Sequence, residues 1–459
     1  MLLDTQITTA LQAVMSNANI RIFLSLAKSF LCVRYETTTR SLSRYSTYSL
    51  RHIFRFLARQ HYWLGMRLRL FNSFFYFSDR HYILAVDEVV EDKSGHNSFG
   101  KGRFYSSCHQ KVIPSVCFFA LSLIDVSTGS SFLLHILQVF HTEEDKKRIA
   151  LKKAEVKAGK ARTKLGKNLP KGRKSKTTKT TPIKPKENLT ASFRVFKELF
   201  TTTLLGIKAL MPSIRITHLV ADTAYGTLDY LKTALLYDCF LISKMKTNAV
   251  LYYPVVPPAK RKAGRPAVYG QKVDLNNIDR QYLKKTTHQD GVKQEYYQFF
   301  AYSKAITCIK LNIVVIITTK TSKNNNEKNQ ISKNIWFTND LNLDFQVLLE
   351  YYSLRFQIEF HFREAKQHFG LSDFKNYKEQ NLTNFVNMSF TMCLVSGIYL
   401  QQLREETNNP KTSLLDLKII SNVRYMAKKI IKYLRITDND NSYSINIDQY
   451  VPDETINKL

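Results

Sequence analysis

Acidic residues are in short supply in this chain. It has 37 Asp and Glu against 68 Lys and Arg, a net charge of +31 over 459 residues, with a pI near 9.7. A deficit of that size points to a polyanionic partner, nucleic acid or an anionic membrane, or else to a heavily solvated basic surface. The absence of a lipid-anchor motif and of a basic amphipathic end segment favours nucleic acid. Paired cysteines are missing as well. Cys32, Cys108, Cys117, Cys239, Cys308 and Cys393 form no C-x-x-C pair, which argues against a zinc ribbon and a disulfide framework and fits a reducing compartment. Cys108-His109 has no second ligand pair nearby. Long apolar runs are absent too. "VIPSVCFFALSLIDV" and "FVNMSFTMCLVSGIYL" fall short of the roughly 20 residues that a membrane span needs, and read as a buried strand and a buried helix. The segment "MLLDTQITTALQ" lacks a basic stretch followed by an apolar one, so no secretory signal is expected. The expectation is a soluble, cytoplasmic protein without a membrane partner.

What is present is 44% hydrophobic residues, over a length that accommodates two or three domains. Residues 1–78 read as helical. In "RSLSRYSTYSLRHIFRFLARQHYWLGMRLRLF", Thr47 or Ser49 is placed to cap a helix carrying Leu50, Ile53, Phe54 and Leu57, with Arg51, Arg55, Arg59 and Arg67 on outer faces. That region is either a DNA-binding module or a helical cap with a solvated face. From Tyr82 the period shortens, and "YILAVDE", "VIPSVCFFALSLID" and "SFLLHILQVF" read as strands, the last two joined by a turn at Ser127-Thr128-Gly129. The tract 146–186 holds 17 Lys and Arg against one acid, and reads as a mobile basic loop that clamps phosphates or as a solvated linker. Helix, strand "THLVAD", helix and strand "CFLISKM" follow, so 79–247 is the first part of an α/β core with parallel pairing around its crossovers. Residues 248–340 read as a β-rich insertion. It contains "KRKAGRPAVYG", which either lies along a minor groove or phosphate backbone or is a plain basic loop. Residues 341–400 complete the core, and 401–459 form a C-terminal helical region.

Phosphodiester chemistry needs cations, because its transition state concentrates negative charge, and hard Mg²⁺ prefers carboxylate oxygens. A basic protein doing such chemistry should own a few isolated acids at the ends of strands or helices. Asp87 closes "YILAVD" and Asp222 closes "THLVAD", at the carboxyl ends of core strands where α/β sheets place their sites. Each taken alone is equally a turn or capping residue. Glu88 competes with Asp87, but an extended strand turns it to the opposite face. A third acid lies in "EYYSLRFQIEFHFREAKQHFG", Glu350 to Gly370, which reads as one long helix. At about 100° per residue, Tyr352, Arg355, Glu359 and Lys366 fall within an arc of roughly 60°, beside an apolar stripe of Tyr351, Leu354, Ile358, Phe362, Ala365 and Phe369. An i,i+4 ion pair on a solvent face explains Arg355 and Glu359 but not the Tyr and the Lys on the same line.

Tyr352-x2-Arg355-x3-Glu359-x6-Lys366 resembles the Y-x2-R-x3-E-x6-K signature of bacterial insertion-sequence transposases of the insertion-sequence-four family. The order of elements, with Asp on the first strand, Asp after the fourth and Glu on a later helix, is similar to their RNase H-like catalytic core, and the β-rich insertion also looks like this family. The resemblance covers roughly residues 40 to 400. It departs after the first acid, where Asp87-Glu88-Val89 stands in place of the acid-then-Thr of many members. It implies that Asp87, Asp222 and Glu359 ligate two Mg²⁺ or Mn²⁺ ions, and that Tyr352, Arg355 and Lys366 hold the phosphates of a transposon end. An aromatic of the insertion stacks on a flipped base in such enzymes; Trp336 is the Trp there, unless it is core. The implied protein is a bacterial, nucleoid-associated, cut-and-paste DNA transposase. It acts as a homodimer on double-stranded terminal inverted repeats and target DNA. Two alternatives stand beside it: an RNase H-like nuclease or resolvase without strand transfer, and an inactive DNA-binding derivative.

Overall fold

The computed structural model describes residues 2–95, 97–106, 108–166, 190–255, 269–320 and 330–433. Five helices open the chain: α1 (Leu2–Leu11), α2 (Asn17–Cys32), α3 (Thr39–Tyr45), α4 (Leu50–Leu57) and α5 (Trp63–Phe74). Their starts are local. Ser16 caps α2 by accepting from the Asn19 N–H, and Thr38 and Ser41 form a capping box on α3. Ser49 takes the capping position of α4, but its hydroxyl bonds His52 Nδ1 at 2.8 Å and leaves the backbone uncapped. Two expectations for these helices fail. Phe54 is exposed while Phe56 joins Ile53 and Leu57 in the core, and Arg67, expected on an outer face, is fully buried.

The sheet begins with β1 (His81–Asp92), β2 (Gly102–Ser106), β3 (Lys111–Asp125) and β4 (Ser131–Val139). β2 pairs with the start of β3, while β4 pairs with the rest of it. The β3–β4 turn falls where expected. Gly129 takes φ +68°, and Asp125 accepts from the Ser127 N–H at 2.9 Å and its hydroxyl at 2.6 Å. Next comes α6 (Glu143–Gly166), a helix where a mobile loop is expected; the remainder of the basic tract lies outside the described residues. Thr142 and Asp145 cap α6 reciprocally, acids fill its first turn, and Arg194 clamps Asp145 from the next helix at 2.9 Å.

That next helix, α7 (Ala191–Leu210), leads to β5 (Arg215–Ala221), α8 (Leu228–Leu235) and β6 (Phe240–Met245). β1 runs antiparallel to β3 and parallel to β5, and β5 is parallel to β6. Parallel neighbours need crossovers, which α7 and α8 provide. Residues of β1 alternate between two cores. Ile83, Ala85 and Val89 face one, built largely from the N- and C-terminal helices; Tyr82, Leu84 and Val86 face the other, built on α7 and α8.

The remaining strands are β7 (Leu251–Tyr252), β8 (Leu283–Gln289), β9 (Val292–Ser303), β10 (Lys310–Lys320) and β11 (Gln330–Thr338). They do not form a separate sheet. β11 pairs antiparallel with β6, from Thr338 opposite Ile242 to Ile335 opposite Met245, so the whole becomes one sheet of eleven strands. The stretch containing "KRKAGRP" lies outside the described residues. Four helices close the described chain: α9 (Phe345–Leu354), α10 (Gln357–His368), α11 (Glu379–Thr407) and α12 (Leu414–Tyr433). α11 runs unbroken through residue 400, where the sequence places a domain boundary. α12 returns to α2, where Lys418 Nζ donates to the Phe30 and His368 carbonyls at 2.8 Å and burial pushes its ammonium down to about 8. No helix among the described residues is long and apolar enough to cross a membrane.

Candidate active site

The last parallel pair between β1 and β5 is Val86 opposite Ala221. Asp87 and Asp222 are the next residue on each chain, so a strand spacing of about 4.8 Å makes their backbones neighbours. Asp87 does not end its strand: β1 continues to Asp92, paired with β3. Asp222 does leave its strand, at the capping position of a 3-10 turn, Thr223–Tyr225, yet its side chain makes no capping bond there. Among the described residues its carboxylate has no hydrogen-bond or ion-pair partner, which leaves it available to a ligand. The turn closes at Gly226, where a Cβ would stand 2.7 Å from Ser243 Oγ. Glu88 points away as strand geometry requires, toward Cys117, Tyr225 and Tyr230 on the α7 side.

Glu359 arrives on a broken helix, not the continuous one the sequence suggests. Between α9 and α10 the backbone tightens, with Arg355, Phe356, Ile358 and Glu359 each donating to the residue three back. The tightened turn carries Arg355 inward. Its side chain is only 7% exposed and bridges two carboxylates, Nη1 to Asp87 Oδ2 at 2.8 Å and Nη2 to Glu359 Oε1 at 3.0 Å. The i,i+4 pair therefore exists, but over the sheet rather than on a solvent face. Asp87, Asp222 and Glu359 do not close to within 4.8 Å of one another, and the guanidinium stands between two of them.

Electrostatics tie Asp222 to the same cluster. Burial pushes the Asp87 carboxyl up to about 6, Arg355 opposes the rise, and the charges of Asp222 and Glu359 add to it. The folded protein thus holds the Asp87 proton more tightly than the unfolded chain, whose ordinary value is 3.8. The stability this gives is full below about pH 4 and is lost as the pH rises through 6. In a metal-free buffer, Asp87→Asn is expected to match the wild type at pH 4 and to exceed it by about 2 kcal/mol at pH 8, read from urea unfolding at each pH. A variant less stable than wild type at pH 8 would mean that the bond to Arg355 outweighs the burial of the charge.

Tyr352 is buried. Its ring meets Trp336 edge-on at 6.1 Å, and burial raises its hydroxyl to about 12. Trp336, 8% exposed, belongs to the core. Sequence reasoning missed Lys244, whose ammonium lies 4.8 Å from the Trp336 ring centre and 5.6 Å from that of Tyr352, and is attracted by Asp222. The available signal was a lone cation near the end of the apolar run "CFLISKM". Lys366 lies away from the acid cluster, paired with the buried Glu91 at 2.7 Å. Glu91 sits on the Asp87 face of β1, four residues on. Eleven helical residues from Arg355 to Lys366 rise about 16 Å and four strand residues about 13 Å, so α10 lies along β1, pinned by an ion pair at each end.

The comparisons with known proteins agree with this layout. A family model described as DDE superfamily endonuclease matches residues 31–301, more than half of the chain. The chain belongs to the DDE superfamily endonucleases. The matched segment contains Asp87 and Asp222 and stops short of Glu359. No curated protein matches the chain. The family carries an RNase H-like fold, and the order β4-β3-β1-β5-β6, antiparallel then parallel about β1, is the corresponding part of this DDE endonuclease's sheet. DDE endonucleases act on DNA and generally use divalent metal ions.

Proposed function

We propose that this DDE endonuclease is a DNA transposase of the insertion-sequence-four type, cutting transposon ends and joining them to target DNA. The observation that carries the reading is the Asp87–Arg355–Glu359 bridge, with Asp222 acting on the same carboxyl. The charges of Asp222 and Glu359 raise the proton affinity of Asp87, and a cation already stands between two of the acids, so the site favours more positive charge. Their oxygens are the donors that Mg²⁺ or Mn²⁺ takes. Asp87, Asp222 and Glu359 would hold two such ions. Bound there, the pair supplies positive charge to the entering and leaving oxygens of an in-line phosphoryl transfer.

The chain's own residues do the rest. Asp87 must be unprotonated, the form that prevails once the pH exceeds its raised value of about 6. Arg355, freed from one carboxylate, presents a planar fork to a phosphate. Lys244, attracted by Asp222, supplies a second cation, and the Tyr352 ring, 5.9 Å from the Arg355 guanidinium, packs beside it. Lys366 serves the DNA by releasing Glu91. Cutting two ends in concert calls for a homodimer, in the cytoplasm beside the nucleoid.

The test is a reaction with Mg²⁺ and DNA bearing the inverted repeats that flank the gene. Cleaved ends joined to a target plasmid, with a short target duplication, are the expected products. Cleavage with no joined product would leave a nuclease or resolvase, and DNA binding with neither would leave an inactive derivative.

A further inference from the structure

A groove of about 820 Å³ lies between α4 and the segment that leads into α11. On one wall, Arg51, Phe54 and Arg55 share a helix face by their i, i+3, i+4 spacing, opposite the buried Ile53, Phe56 and Leu57. Lys378 and Tyr377 form the other wall, and Arg40 lies at the start of α3. Among the described residues no acid lines the groove. Among the described residues Lys375 is the groove cation with an ion pair, to the exposed Glu36 at 3.1 Å, and Arg40, Arg51, Arg55 and Lys378 have none. Two large rings are exposed here, Phe54 at 43% and Tyr377 at 54%, and neither stacks on another described ring.

The walls are fixed in place. Thr37 N–H donates to Asp373 at 2.7 Å and Thr39 Oγ1 to Asn376 at 3.3 Å. Gly370, at φ +70°, lets the two segments approach so closely that a Cβ would stand 2.4 Å from the Thr37 carbonyl. The groove also lies on the path from the acids. β1 runs on from Asp87 to Asp92, and the next residue, Lys93, about 20 Å from Asp87 at strand rise, donates through Nζ to the Phe374 carbonyl at 3.0 Å.

Unpaired cations alone would suit any DNA. Exposed rings inside a concave basic groove do not suit a duplex, whose bases are already stacked on one another. They suit bases without a partner, because every base offers a π-face and stacking tolerates any sequence. We infer that this groove binds single-stranded DNA, with bases on Phe54 and Tyr377 and phosphates on Arg40, Arg51, Arg55 and Lys378. The inference rests on the reading of the protein as one that acts on DNA, and it names the strand form that this surface takes.

The test uses the full chain in EDTA, with fluorescence anisotropy of a labelled oligothymidine of about 12 nucleotides and of a duplex of the same length. Phe54→Ala and Tyr377→Ala are each expected to weaken oligothymidine binding at least about fivefold, and duplex binding less than about twofold. Phe54→Trp is expected to keep the affinity. The inference is overturned if the alanine variants bind oligothymidine as wild type does, or lose both DNA forms by the same factor, which would make the groove a duplex surface. Without divalent ions the readout does not depend on cleavage, so a negative result here removes the groove and leaves the acid cluster untouched.

Discussion

Glu359→Gln and Asp222→Asn are each expected to lower divalent-ion-dependent DNA cleavage by about 10³-fold or more, a loss of about 4 kcal/mol of transition-state stabilisation. Both substitutions keep side-chain size and remove one charge. Neither should unfold the protein: the Glu359 side chain is 45% exposed, and the Asp222 carboxylate makes no capping bond that folding would need. Binding should change by less than about threefold, because removing one acid raises a net charge of +31 by only one, and phosphate contacts set most of the affinity. The measurement is single-turnover cleavage beside anisotropy on the same DNA. Glu359 carries the heavier consequence, since it lies beyond the matched segment and its place in the site rests on its geometry and on the Y-x2-R-x3-E-x6-K spacing. Full activity in either variant would take that residue out of the site.

The parts of this site that were legible in the sequence are those where local pattern and final structure agree. β1 is a continuous apolar run because both its faces are covered, and that made Asp87 conspicuous. Asp222 stood out for the same reason at the end of β5. The break between α9 and α10 left no such trace. Ser353-Leu354-Arg355-Phe356 contains neither Gly nor Pro, and the helix tightens there as Arg355 turns toward a carboxylate 268 positions away in the chain. The helix α6 was hidden for a different reason. Its Ala- and Lys-rich sequence has helix propensity but no apolar stripe, and periodicity is what such a reading detects. The pairing of β11 with β6 depends on which strand edge is free, a property of the assembled sheet that no single segment carries.

Arg67→Met is expected to destabilise the protein by about 3 kcal/mol, the largest stability effect we predict. Arg67 is fully buried on α5, and among the described residues no carboxylate pairs with it. Its guanidinium instead donates to the Leu134 carbonyl at 2.7 Å, Thr391 Oγ1 at 3.0 Å and Asn387 Oδ1 at 2.8 Å, joining α5 to β4 and α11. Burial pulls it down to about 9; burial also holds His135 at about 3, and the Arg67 charge adds to that effect. Two effects oppose each other. Methionine abolishes the cost of burying a charge, but it leaves the buried Leu134 and Asn387 oxygens without this donor, at about 1–3 kcal/mol each. The second effect dominates because the partners are neutral acceptors that stay behind. A double variant separates the two. Arg67→Met with Asn387→Leu removes donor and acceptor together, so its loss in urea unfolding should fall short of the sum of the single losses by about 1 kcal/mol or more. Strict additivity, or a single Arg67→Met within about 0.5 kcal/mol of wild type, would show that the buried guanidinium only offsets its own desolvation and that α5 is held by its apolar contacts.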